Sequence, residues 1–150
     1  MVNTILITGA GSGIGRGMSQ HLATLGHRMI VSDRCLESAI ETASLIGDQE
    51  NHCAVELDVT CGDSINALSE RLAEESVNVL INNAGIQHVA GLEDFPQEAW
   101  DNVVDVLLNG VARVTRACLP AMRANGYGRI INIGSIHSLV ASPFKTAYVA

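Results

Sequence analysis

A chain of 150 residues with 47% hydrophobic and 17% charged residues carries enough apolar content for one buried core and too much for a disordered segment. Its net charge of −7 argues against nucleic acid or an anionic membrane surface as partners. No apolar run reaches the roughly 18 residues of a membrane span. The first residues read directly as a strand, so no signal peptide is expected. The four cysteines, Cys35, Cys53, Cys61 and Cys118, show neither CxxC spacing nor a nearby histidine cluster. They read as reduced thiols of a cytoplasmic protein, and no metal site is expected.

In chain order, the pattern predicts a strand over 4–8 and a helix over 14–25, then a strand over 28–33 and a helix over 36–46. A strand over 53–58 and a helix over 63–74 follow, then a strand over 77–82, the longest helix over 97–123, and a strand over 129–133. Ile5-Leu6-Ile7 and Ile130-Ile131 are apolar on both faces, as buried parallel strands are. Gly26, Gly47 and Gly126 fall where helices should stop. Alternating strands and helices with right-handed crossovers make an α/β, doubly wound parallel sheet of about five strands. With no repeat, linker or low-complexity stretch, residues 1–150 read as a single domain.

The first strand runs into Gly9-Ala10-Gly11-Ser12-Gly13-Ile14-Gly15. This is not GxGxxG, since Ile14 occupies the place of its last glycine. It fits TGxxxGxG from Thr8 through Gly15. Glycine lets the backbone turn sharply and approach a phosphate closely, and the helix that follows offers free N–H groups and a positive dipole end. By itself the pattern also fits a tight turn without a ligand. Asp33 tips the balance toward a dinucleotide: it ends the second strand, where a carboxylate accepts hydrogen bonds from the adenosine ribose. A carboxylate there repels a 2′-phosphate, so NAD is expected over NADP. The adjacent Arg34 could partly offset that repulsion, but reads first as a solvated arginine.

Together with Asn82-Asn83-Ala84-Gly85 and the pair Ser135 and Tyr148, these motifs, in this order through nearly the whole chain, are similar to those of the short-chain dehydrogenase/reductase family. The resemblance implies a Rossmann-type sheet that binds NAD or NADP. It implies that Gly9, Ser12, Gly13, Ile14 and Gly15 form the cofactor-binding turn and that Asp58 and Val59 approach the adenine. Asn83, Ala84 and Gly85 would lie beneath the cofactor; taken alone, they would be a polar turn closing a strand. Ser135 and Tyr148 would be the catalytic hydroxyls, serine holding the substrate oxygen and tyrosine exchanging its proton.

A free tyrosine has a pKa near ~10 and is a poor base at neutral pH. The family's correcting lysine would stand at position 152, past the residues of this sequence. Leu107 occupies the place of the family's helical asparagine. Asn109 lies two residues on, roughly 200° around an ideal helix, and faces elsewhere unless a π-bulge shifts the register.

Gln87, His137 and Lys145 resemble residues that hold the carboxylate of a small hydroxy acid such as D-3-hydroxybutyrate in members of the family. Lys145 is the single lysine of the chain. Such a substrate needs a cation and hydrogen-bond donors to fix its carboxylate while the reacting carbon faces the nicotinamide. Read without the resemblance, Lys145 is a solvated loop charge, and Gln87 and His137 are polar loop packing. Pro143-Phe144 departs from the small and polar residues expected before Lys145, so another small secondary alcohol or polyol stays open as substrate. The chain by itself is expected to be catalytically impaired. An apolar edge at the fifth strand would favour a homo-oligomer. A remnant that binds NAD without turnover, or serves only in assembly, is the alternative.

Overall fold

The computed structural model describes residues 2–47 and 51–150. Its five strands are β1 (Thr4–Ile7), β2 (Arg28–Asp33), β3 (Cys53–Glu56), β4 (Val79–Asn82) and β5 (Arg129–Asn132). They form one parallel sheet in the order β3-β2-β1-β4-β5. The chain winds outward from β1 in one direction through β2 and β3, then returns to the other side of β1 for β4 and β5. The order reverses between β1 and β4, and in such sheets a crevice opens there at the carboxyl ends of the strands. This is a Rossmann-type, doubly wound α/β fold.

Strand alternation sorts the apolar residues into two layers. Ile5, Ile7, Met29, Val31, Val79 and Ile81 face α1 (Gly13–Thr24) and α2 (Leu36–Leu45), where Met18, Leu22, Ala39 and Ala43 meet them. Leu6, Ile30 and Leu80 face the opposite way, toward Leu68 and Leu72 of α3 (Gly62–Leu72) and Val114, Cys118 and Met122 of α5 (Val111–Ala124). Leu6, Ile7, Ile30 and Leu80 are wholly buried. Each such side chain contributes about 1.5–3 kcal/mol of transfer free energy. Burial also pushes the Cys118 thiol up to about 12, which leaves it protonated and unreactive.

Gly26, Gly47 and Gly126 take φ of 81°, 75° and 64° just beyond α1, α2 and α5, as the sequence predicts for helix ends. The long helix expected over 97–123 is divided. It runs as α4 (Gln97–Val104), a π-helical segment over Asp105–Gly110, and α5. Gly110 presses on Val59, where a Cβ would stand 2.8 Å from Val59 Cγ2. Asp105 Oδ1 accepts from Asn109 Nδ2 at 2.9 Å and pairs with Arg113 Nη2 at 2.9 Å. Those hydrogen bonds, Arg113's first and Asn109's second, hold the Asp105 carboxyl below its usual range. A short 3₁₀ turn (Ile136–Ser138) and α6 (Thr146–Val149) follow β5.

β5 differs from its neighbours. All four of its residues are exposed, and Ile130, Ile131 and Ile133 keep 42%, 45% and 41% of their surface. Among the described residues it pairs with β4 alone.

Candidate active site

Gly9 takes φ of 62°, and an added Cβ there would lie 2.8 Å from Ala84 Cα. At Gly15 an added Cβ would overlap Gly9 O and come within 2.7 Å of Asn83 Nδ2. Both positions therefore exclude a side chain, because the turn after β1 and the turn after β4 lie against each other. Thr8, buried between them, accepts at Oγ1 from Asn83 N and Ala84 N, both at 3.0 Å. Asn83 Nδ2 donates back to Thr8 O at 2.9 Å and Gly9 O at 3.1 Å.

α1 starts at this turn. Ser12 is its N-cap, but the side chain makes no capping hydrogen bond and is exposed. The first N–H groups of a helix have no intrahelical acceptor, so those of Gly13, Ile14 and Gly15 present donors and a positive dipole end.

Asp33 ends β2 beside the turn. Its Oδ2 accepts from Gly11 N at 2.9 Å and its Oδ1 from Cys35 N at 3.1 Å. Asp58 Oδ1 accepts from Thr60 N at 2.8 Å and Thr60 Oγ1 at 2.7 Å, which shapes the loop leading to α3. A cleft of about 530 Å³ opens over these groups. Gly9, Ser12, Gly13, Ile14, Gly15, Asp33, Asp58, Val59, Asn83, Ala84 and Gly85 all line it. So do Arg34, Thr60, Ile86, Asn102 and Val106, which carry no motif signal. A turn closed to side chains, a row of free donors and a carboxylate beside them suit a dinucleotide phosphate and ribose.

The second cluster follows β5. Ser135 caps the 3₁₀ turn, its Oγ accepting from His137 N at 3.2 Å. The His137 ring stands edge-on to the Tyr148 ring with centroids 6.2 Å apart. Lys145 Nζ lies 3.3 Å from His137 Nε2, and His137 Nδ1 lies 3.2 Å from Val140 O. An ammonium only donates and a carbonyl only accepts, so in these two contacts Nε2 stands opposite a donor and Nδ1 opposite an acceptor. Ser135, His137, Lys145 and Tyr148 are thus gathered in one place. Ala90 N donates to Phe144 O at 2.9 Å, which ties the loop carrying Gln87 to the loop carrying Lys145. Gln87 itself is exposed. Phe144 takes φ of 62°, a conformation rare for a bulky side chain.

Leu107 is half-buried, and its Cδ2 would stand 3.3 Å from a Cβ at Gly85. Asn109 is exposed and bonded to Asp105. The π-helical segment therefore does not bring Asn109 to Gly85; the side chain beside that turn is a leucine.

Comparison with known proteins identifies the family. The short chain dehydrogenase family profile matches residues 3–150. A D-beta-hydroxybutyrate dehydrogenase of Rhizobium meliloti (strain 1021) is 38% identical over 100% of this chain and 60% of its own length. A gluconate 5-dehydrogenase from Burkholderia cenocepacia J2315, solved in complex with NADP and tartrate, superimposes with a TM-score of 0.90 at 35% identity, over 98% of this chain and 59% of that one. An NAD+-bound xylitol dehydrogenase gives a TM-score of 0.90 at 25% identity, over 98% and 58%. The chain thus spans about 60% of the length of the relatives it matches. On the family profile and these relatives, this chain belongs to the short-chain dehydrogenase family.

Proposed function

We propose that the chain is the cofactor-binding and catalytic part of an NAD-dependent oxidoreductase acting on a small hydroxy acid such as D-3-hydroxybutyrate. The observation that carries the cofactor is the Asp33 carboxylate at the rim of the cleft, braced by the Gly11 and Cys35 amides. It suits a ribose diol and repels a 2′-phosphate. Gly9, Ser12, Gly13, Ile14 and Gly15 would hold the pyrophosphate, Asp58 and Val59 the adenine, and Asn83, Ala84 and Gly85 the base of the cleft. When bound, the nicotinamide gives or takes the hydride.

The residues after β5 suit the remaining work. The Ser135 hydroxyl accepts from His137 N, which leaves its own proton to donate to the substrate oxygen. The Tyr148 phenol exchanges the proton there. Lys145 retains donors beyond the one spent on His137; with Gln87 it holds the substrate carboxylate, while His137 positions the Lys145 ammonium. Support for a hydroxy acid comes from the hydroxybutyrate dehydrogenase relative and from this single lysine at the site. We place the protein in the cytoplasm, on its four free cysteines.

Leu107 beside Gly85 favours a second reading, a chain that binds NAD but turns over poorly. NADH formation on adding D-3-hydroxybutyrate and NAD decides between them. Appearance of NADH supports the dehydrogenase. NAD binding without turnover of any small hydroxy acid or polyol supports the second reading.

A further inference from the structure

Arg16 stands in the first turn of α1, yet its side chain runs away from the cleft toward α2. Its Nε donates to Gly11 O at 3.1 Å and to Thr42 Oγ1 at 2.9 Å. Its Nη2 donates to Gly11 O as well and pairs with Glu41 Oε2 at 2.7 Å. Thr42 is wholly buried. Gly11 is therefore held from both ends, its carbonyl by Arg16 and its N–H by Asp33 Oδ2. There is no slack around it, since a Cβ at Gly11 would lie 2.7 Å from Ser38 Cβ and 2.8 Å from Asp33 Cγ.

We infer that Arg16 is a positioning residue for cofactor choice: through Gly11 it sets the Asp33 carboxylate and so the preference for a free ribose over a 2′-phosphate. The inference rests on the dinucleotide reading of the cleft. A guanidinium whose donors go to Gly11, Thr42 and Glu41 is not presented to the cofactor phosphates. Its effect passes through the peptide that Asp33 leans on.

The test is calorimetric titration of the chain with NAD and with NADP, for wild type, Arg16→Ala, Arg16→Lys, Glu41→Gln and Arg28→Ala. Arg28 pairs with Glu75 at the amino end of β2, so its variant loses a comparable ion pair far from the cleft. Arg16→Ala is expected to bind NAD about tenfold more weakly, the worth of a charge-assisted hydrogen bond, while NADP changes by less than about twofold. Arg16→Lys, which can still donate to Gly11 O, recovers part of the ratio. Arg28→Ala keeps the wild-type ratio. Should Arg16→Ala fail to fold, Arg16→Lys and Glu41→Gln decide, each with a ratio lowered about two- to threefold. An arginine that bound phosphate directly would be freed by Glu41→Gln, and tighter NAD binding in that variant would overturn the inference. Equal losses for both cofactors would overturn it too, as would an unchanged ratio in the Arg16 variants. A wild-type chain that binds neither cofactor would remove the cleft reading, and this inference with it.

Discussion

The two ends of the site are built in opposite ways. At the glycine turn, β1 and β4 are buried, and Thr8, Asn83, Gly11 and Asp33 cross-tie three strand ends through hydrogen bonds between residues distant in sequence. After β5, among the described residues, the side-chain hydrogen bonds of Ser135 and His137 span no more than eight residues, and Leu139, Val140 and Phe144 keep 85%, 59% and 62% of their surface. The first region is preorganised by the sheet itself. The second is ordered by local contacts, by the tie from Ala90 to Phe144 and by the packing of α6 against α4. On the proposed function, a cofactor would meet the preorganised turn and a substrate the more exposed one.

Changes at the cofactor end should break that contrast most. Gly15→Ala forces a methyl group onto Gly9 O and Asn83 Nδ2, where backbone and a tied side chain must move. Overpacking of this kind costs about 3 kcal/mol, and urea unfolding together with loss of NAD binding should show it. Thr8→Val leaves the Asn83 and Ala84 amides without their buried acceptor. That should cost about 2 kcal/mol in the same assay. Lys145→Ala sharpens the contrast from the other side. It should weaken hydroxy acid binding at least about tenfold while NAD affinity and melting temperature hold; a matching fall in NAD affinity would show that the two ends are not separate.

The smallest effect lies away from both. Arg28 hydrogen-bonds Glu75 across part-buried side chains, with Nη2–Oε1 at 3.0 Å, and holds the Glu75 carboxyl below its usual range. A carboxyl lowered on folding stabilises the native state above its unfolded pKa of about 4.3 and loses that contribution as pH falls through the lowered folded value. Glu75→Gln should therefore cost about 1 kcal/mol near neutral pH, with the difference from wild type shrinking as pH drops below about 4. NAD affinity near neutral pH should not change.

Much of the glycine turn could be read from the sequence because its packing is carried by residue types at fixed spacing. A turn without side chains needs Gly9 and Gly15, and Asp33 follows at the end of the next strand. What the sequence concealed is direction. Asn83 lines the cleft as expected, yet its amide is spent on stapling Thr8 and Gly9. Arg16 sits beside the free helix end and points to α2. In the long helix, the 3.6-residue period runs through 97–123 without marking the π-helical segment, at which Gly110 meets Val59 and Asp105 meets Arg113. Ile5-Leu6-Ile7 and Ile130-Ile131 carry the same apolar pattern, but β1 is buried and β5 is exposed.

Hydrogen exchange of the chain, free and with NAD, tests the contrast most directly. Without ligand, the amides of Gly11, Asn83 and Ala84 should already be protected by Asp33 and Thr8, while residues 134–145 exchange fast. NAD should then slow Gly13, Ile14 and Gly15 and leave 134–145 little changed. A glycine turn that exchanges as fast as 134–145 in the free chain, or no slowing at Gly13, Ile14 and Gly15 with NAD, would contradict the account.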